Sequence, residues 1–215
     1  MQSQRTFASI LIWATVLMFV ALLMHPAAAS HGPRSEDALA AVYAARSHLA
    51  VMHGVAIGLQ LTVVACIIAF CRAVGFDHPL AVLGAVAFAA SAAGISVAAS
   101  LDGFLIPAFA APHLALNDGT PLDMRPMIAA GAIVIQYATK FSIAAIAASA
   151  ALLSWQLLSS GTMRVAAVAG LVLAAIQCVA LFAFAVLTPH NVAFSALPLL
   201  LWQLVLGVVW MREAR

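Results

Sequence analysis

The stretch LAVMHGVAIGLQLTVVACIIAFC, residues 49–71, decides the fold because it contains no Asp, Glu, Lys or Arg. At about 1.5 Å per residue, a helix of this length covers a hydrocarbon core about 30 Å thick. A crossing segment must pair its backbone groups internally, and this one lacks the alternation of a barrel strand. Residues 49–71 are therefore predicted to form a transmembrane helix.

Five further runs have the same apolar character and a similar length. They lie near residues 7–24, 79–101, 130–157, 165–187 and 195–211. The segments between the runs carry prolines, glycines and most of the charges, as connections between helices do. The sequence predicts an all-α, polytopic transmembrane bundle of six helices, formed as a single membrane domain over residues 1–215.

The composition supports a membrane protein and excludes several other classes. Hydrophobic residues make up 66% and charged residues 7% of the chain, against about 45–50% and about 25% in soluble domains. The nine basic residues are scattered singly, so there is no basic patch to follow a nucleic-acid backbone. The predicted partners are the lipid bilayer and another membrane protein or a second copy of the chain, with no nucleic acid.

The basic residues near helix ends predict the orientation, because they concentrate on the cytoplasmic side. With the N-terminus inside, the bias is five to three, and both termini are predicted to be cytoplasmic. Inside lie Arg5, Arg72, Arg164, Arg212 and Arg215, and outside lie Arg34, Arg46 and Arg125. Trp155 and Trp210 are expected in an inner aromatic belt. Eight arginines against one lysine point to a bacterial chain, hence to the cytoplasmic (inner) membrane.

The first run also admits a second interpretation. A charged start, an apolar stretch and the sequence AAAS at 27–30 resemble a secretory signal cleaved after Ala29. The apolar stretch is longer than the usual 7–15 residues of a signal. We therefore predict a membrane helix and keep cleavage of residues 1–29 as the alternative.

Two charged residues interrupt the apolar runs and suggest a site. Asp102 is followed by further apolar residues, and Lys140, the only lysine, lies inside the stretch IVIQYATKFSIAAIA at 133–147. An ionisable residue within a membrane segment is a functional-site hypothesis whose partner must be named. We expect Asp102 to pair with Lys140 in the outer half of the membrane, with Gln136 one turn before the lysine and His53 at a similar depth. The alternative is a structural role: the Lys140 side chain extends to the lipid headgroups, or the Asp102–Lys140 pair only sets the register of the two helices.

Six of the seven histidines fall on the predicted outer side. They are His25, His31, His48, His53, His113 and His190. Imidazole groups bind copper, zinc or nickel, so an outer metal or haem site is the alternative function, that of a membrane oxidoreductase or metal-handling protein. His48 and His53 are five residues apart and diverge on a helix, unlike the four-residue spacing of a ligand pair. No cofactor is therefore predicted.

Short motifs in the first half resemble small six-helix bacterial inner-membrane proteins of unknown function. They are MHPAAAS at 24–30, SHLAVMHG at 47–54 and SLDGFLIPAF at 100–109. The likeness covers about residues 7–110, and it implies six or seven helices and no known activity. No phosphate loop, HExxH motif or nucleophile with an adjacent base is present. We expect a small carrier or accessory membrane subunit with an outward polar site, and lean against an enzyme.

Overall fold

In the computed structural model, the structure describes residues 2–24, 36–112, 120, 122–184 and 189–214. All regular structure in these residues is helical, which confirms the all-α prediction. The helices are α1 Gln2–Leu23, α2 Glu36–Ala44, α3 Arg46–Val74, α4 Pro79–Ser100, α5 Ile106–Phe109, α6 Arg125–Ser159, α7 Arg164–Ala183 and α8 Pro189–Glu213. A π turn, Leu101–Leu105, joins α4 to α5 without a break.

Six of these segments are long and apolar enough to cross a membrane, as the sequence predicts. The helix bounds differ mainly at the ends, because backbone hydrogen bonding continues past the apolar run until a turn residue stops it. The third crossing segment, expected to end near 101, continues to Phe109, and the fifth ends at Ala183 instead of near 187. The nine-residue helix α2, in a segment expected to be a loop, is an addition.

The six long segments form a closed ring. Each packs against two neighbours in the order α1, α3, α4, α6, α7, α8, and α8 returns to α1. Small residues allow some of the closest approaches: Ser149 on α6 donates a hydrogen bond to the Gly84 carbonyl on α4 at 2.7 Å. A polar contact closes the ring: the Thr15 hydroxyl on α1, which is 2.7 Å from the Leu11 carbonyl oxygen, also lies 3.1 Å from the Gln203 side-chain oxygen on α8.

The two ends of the bundle have different packing. At one end Leu49, Ile106 and Ile128 form a small buried cluster where α3 and α6 begin and α5 ends. At the other end Phe70 meets Trp210 edge-on, with ring centroids 5.2 Å apart. Trp210 is 1% exposed, so it belongs to the core and not to the aromatic belt in which we expected it. The first turn of α1 and the last turn of α8 share this second end.

Candidate functional site

His53 lies in the second turn of α3, about 10 Å along the helix from Arg46, and it is 7% exposed. The helix itself fixes one ring nitrogen, because His53 Nδ1 is 2.8 Å from the Leu49 carbonyl oxygen. A carbonyl only accepts hydrogen bonds, so Nδ1 carries a hydrogen and donates it. The opposite nitrogen, Nε2, therefore points away from α3 toward the neighbouring segment.

The neighbouring segment is the π turn Leu101–Leu105, which carries Asp102. Its wider hydrogen bond runs from the Ile106 amide to the Leu101 carbonyl. Pro107 follows at once and has no amide hydrogen, and a local π adjustment is one way in which a membrane helix continues past a proline. Nothing in the sequence distinguishes a π turn from a helix end at this point.

The π turn brings Asp102 to His53. Their closest side-chain atoms, Asp102 Oδ2 and His53 Nε2, are 3.2 Å apart, and the aspartate side chain is 19% exposed. The sequence placed His53 at the depth of Asp102 but named Lys140 as the aspartate's partner. The contact with His53 is thus the element of the site that the residue spacing did not single out.

Gly103 allows this approach. A Cβ atom added at residue 103 would lie 2.7 Å from His53 Cγ and 2.9 Å from His53 Nδ1, closer than real Cβ atoms come to other heavy atoms. Gly103 is buried and its backbone lies directly against the imidazole. The sequence LDGF therefore supplies both the carboxylate and the space for its partner.

The hydrogen-bond geometry requires a proton between the two side chains. With Nδ1 already donating, a neutral His53 has only an acceptor at Nε2, and an ionised Asp102 has only acceptors. Two acceptors at 3.2 Å would repel each other. One proton must therefore lie between them, either as imidazolium with carboxylate or as neutral imidazole with carboxylic acid. In both forms the pair is neutral overall, and losing the proton leaves one negative charge.

Gln136 and Lys140 lie on α6, which packs against both α4 and the π turn. Both side chains are half-buried. A Cβ at Gly94 would lie 3.2 Å from the Ala138 carbonyl oxygen, which places Lys140 near the level of Gly94. Gly94 is about two turns deeper than Asp102. The Lys140 side chain would therefore reach Asp102 only by extending toward the start of α6. The Asp102–Lys140 ion pair stays a prediction.

The outer histidines are only partly covered. His48 is exposed near the start of α3. His190 belongs to the first turn of α8, but its side chain is not described, and His113 lies outside the described residues. Among the described residues no three His, Cys, Asp or Glu side chains are grouped to hold a metal ion. The outer metal or haem site stays the alternative to the predicted absence of a cofactor, and the structure tests neither.

A second polar region, which the sequence did not reveal as a cluster, lies among α6, α7 and α8. A Cβ at Gly170 on α7 would collide with the Ser154 hydroxyl and the Trp202 indole nitrogen. Within the described residues, neither of these polar atoms has a hydrogen-bond partner, and neither does the buried Gln177 side chain.

We compared the chain with protein-family models, curated proteins and solved structures. None of these comparisons finds a match.

Proposed function

We propose that this chain is a multi-pass protein of the bacterial inner membrane, with both termini in the cytoplasm, and that it is a small proton-coupled carrier. The observation that carries the proposal is the distance of 3.2 Å between His53 Nε2 and Asp102 Oδ2, at which the two side chains would share a proton. Ionisable residues inside membrane segments are energetically costly, and they usually mark functional sites. An accessory subunit that uses the same pair to bind a partner is the second form of this proposal.

The proposed orientation rests on the basic residues. Arg5 and Arg212 flank the end where α1 begins and α8 ends, and five basic residues against three favour this end as the cytoplasmic one. The His53–Asp102 pair then lies in the outer half of the membrane, about 10 Å along α3 from Arg46. A carrier needs such a site to open to one side of the membrane, and in this orientation the pair would open to the outside.

Binding and release of this proton would allow the His53–Asp102 pair to couple solute transport to proton movement. The protonated pair is neutral and stable in an apolar environment, whereas the deprotonated pair carries a negative charge that attracts a cation or a hydrogen-bond donor. A solute that supplies this positive charge would replace the proton. Exchange of proton for solute at one site is the simplest basis for coupled transport.

Solute-driven proton movement in proteoliposomes tests this function. A panel of amino acids, monocarboxylates, sugars and divalent cations is added outside, and an internal pH dye reports proton movement. We expect at least one member to move protons with the wild type, and Asp102→Asn and His53→Gln to abolish the signal. The matched control His48→Gln alters an exposed histidine on the same helix and should retain it. A wild-type protein that is silent with the whole panel would contradict the carrier, as would variants as active as the wild type.

A second measurement examines the pair itself, whatever the solute. In ¹⁵N NMR spectra of histidine-labelled protein, His53 should show a protonated Nδ1 and an Nε2 that shares a proton. In Asp102→Asn the carboxamide donates to Nε2, so the shared proton should vanish while Nδ1 stays protonated. An Nε2 signal that is unchanged by Asp102→Asn would refute the proton-sharing geometry.

A further inference from the structure

The ends of α1 and α8 enclose an open depression of about 670 Å³, lined by Arg5, Thr6, Ser9, Ile10, Met211 and Arg212. We propose that this depression binds the phosphate of an anionic phospholipid. The site is separate from the His53–Asp102 pair and needs no transport activity. It requires only that α1 and α8 cross the membrane.

Charge is the first argument. Arg5 comes from the first turn of α1 and Arg212 from the last turn of α8, so arginines from two helices line one depression. The salt bridges among the described residues involve neither arginine. A bound anion would neutralise both of the positive charges that line the depression. A guanidinium binds phosphate oxygens in a planar, bidentate manner.

The hydroxyl groups add a second recognition element. Thr6 lies one residue beyond Arg5 and Ser9 lies one α-helical turn beyond it, and both line the depression. Thr6 donates its hydrogen to the Gln2 carbonyl at 3.1 Å, whereas no described hydrogen bond uses the Ser9 hydroxyl. The Ser9 hydroxyl is therefore available to donate to a phosphate oxygen bound in the depression.

The apolar surface beside the depression identifies the source of the phosphate. Ile10, Trp13 and Leu17 recur along one side of α1, and their exposed fractions are 39%, 64% and 51%. They continue from the wall of the depression along the helix, where acyl chains would lie in a membrane. A soluble phosphate would use the arginines alone, but a phospholipid would use both surfaces. Basic pockets between membrane helices on the cytoplasmic side are suited to anionic headgroups.

Native mass spectrometry of the full chain tests the proposal. The protein is released from micelles that contain equal amounts of phosphatidylglycerol and phosphatidylcholine. We expect wild type to retain one phosphatidylglycerol in preference to phosphatidylcholine. Each basic residue at a membrane surface changes anionic-lipid affinity about fivefold, so the double variant R5Q/R212Q should lose roughly thirtyfold. The charge-retaining variant R5K/R212K should keep most of the affinity.

The matched control is R72Q/R164Q, which removes two exposed arginines that do not line the depression. It should bind phosphatidylglycerol like the wild type, and circular dichroism and thermal unfolding should show that every variant folds. Equal retention of the two lipids by the wild type would overturn the proposal. So would equal losses in R5Q/R212Q and in the control. Displacement of phosphatidylglycerol by millimolar inorganic phosphate would also overturn it, by identifying a site for soluble anions.

Discussion

Substitution of Gly103 by alanine tests whether the glycine lets the π turn approach His53. The added Cβ would lie 2.7 Å from His53 Cγ and 2.9 Å from His53 Nδ1. Overpacking of this kind costs about 1–3 kcal/mol, while replacing glycine by alanine in a helix gains about 1 kcal/mol. Gly103→Ala should therefore lower the free energy of unfolding by about 0–2 kcal/mol.

The matched control is Gly58→Ala, because a Cβ there meets no atom within 4 Å. Gly58 lies on α3, five residues beyond His53, and should show only the gain of about 1 kcal/mol. The expected difference between the two alanine variants is thus about 1–3 kcal/mol. Reversible unfolding by SDS in mixed micelles, followed by circular dichroism, measures both values under the same conditions.

The difference in unfolding free energy between Gly103→Ala and Gly58→Ala tests the contact between Gly103 and His53. If Gly103→Ala stabilises the protein as much as Gly58→Ala, the backbone at residue 103 does not touch the imidazole and the site geometry is wrong. If Gly103→Ala is less stable, His53 must also have moved. The ¹⁵N signal of its Nε2 should then lose the shared proton with Asp102, which separates a local displacement from general destabilisation.

Three further predictions concern α1, α8 and the start of α6. Thr15→Val removes the hydroxyl that contacts Gln203 and should lower the free energy of unfolding by about 0.6–1.7 kcal/mol in the same SDS assay; no loss would show that this contact does not stabilise ring closure. Gly207→Leu should cost about 1–3 kcal/mol, because a Cβ there already comes within 2.7 Å of α1, and a neutral result would contradict this close packing. The Arg125 guanidinium lowers the pKa of Asp123, so any stabilisation by this exposed pair is present above the ordinary carboxyl pKa and lost as the pH falls through the lowered one. An NMR titration should show the pKa of Asp123 rising in Arg125→Gln, and an unchanged value would exclude the pairing.

The helices were predictable because a helix that crosses the hydrocarbon core needs about 20 consecutive, predominantly apolar residues. Uninterrupted apolar residues located six crossing segments, and the structure has all six. Their exact ends were less predictable, because hydrogen bonding inside a helix continues into polar residues. The additional helix α2 is short, and no apolar run marked it.

The site was partly predictable for a related reason. Asp102 stood out because a charge inside an apolar run is rare, and His53 was placed at its depth by counting residues from the end of a helix. The pairing itself depends on which faces of two helices meet and on the extra residue within the π turn. The residue spacing gives neither of these facts, and the sequence therefore led us to predict Lys140, the only lysine, as the partner of Asp102.

The packing of α8 against α1 has a consequence for biosynthesis. A ribosome delivers α1 to the membrane well before α8, so α1 waits with one side exposed to lipid until the α8 segment is made. The buried surface of α1, which includes Leu11 and Thr15, is covered on that side only when α8 arrives. Translation intermediates that lack α8 should therefore be the species that quality-control proteases recognise, and insertion of α8 should end their exposure.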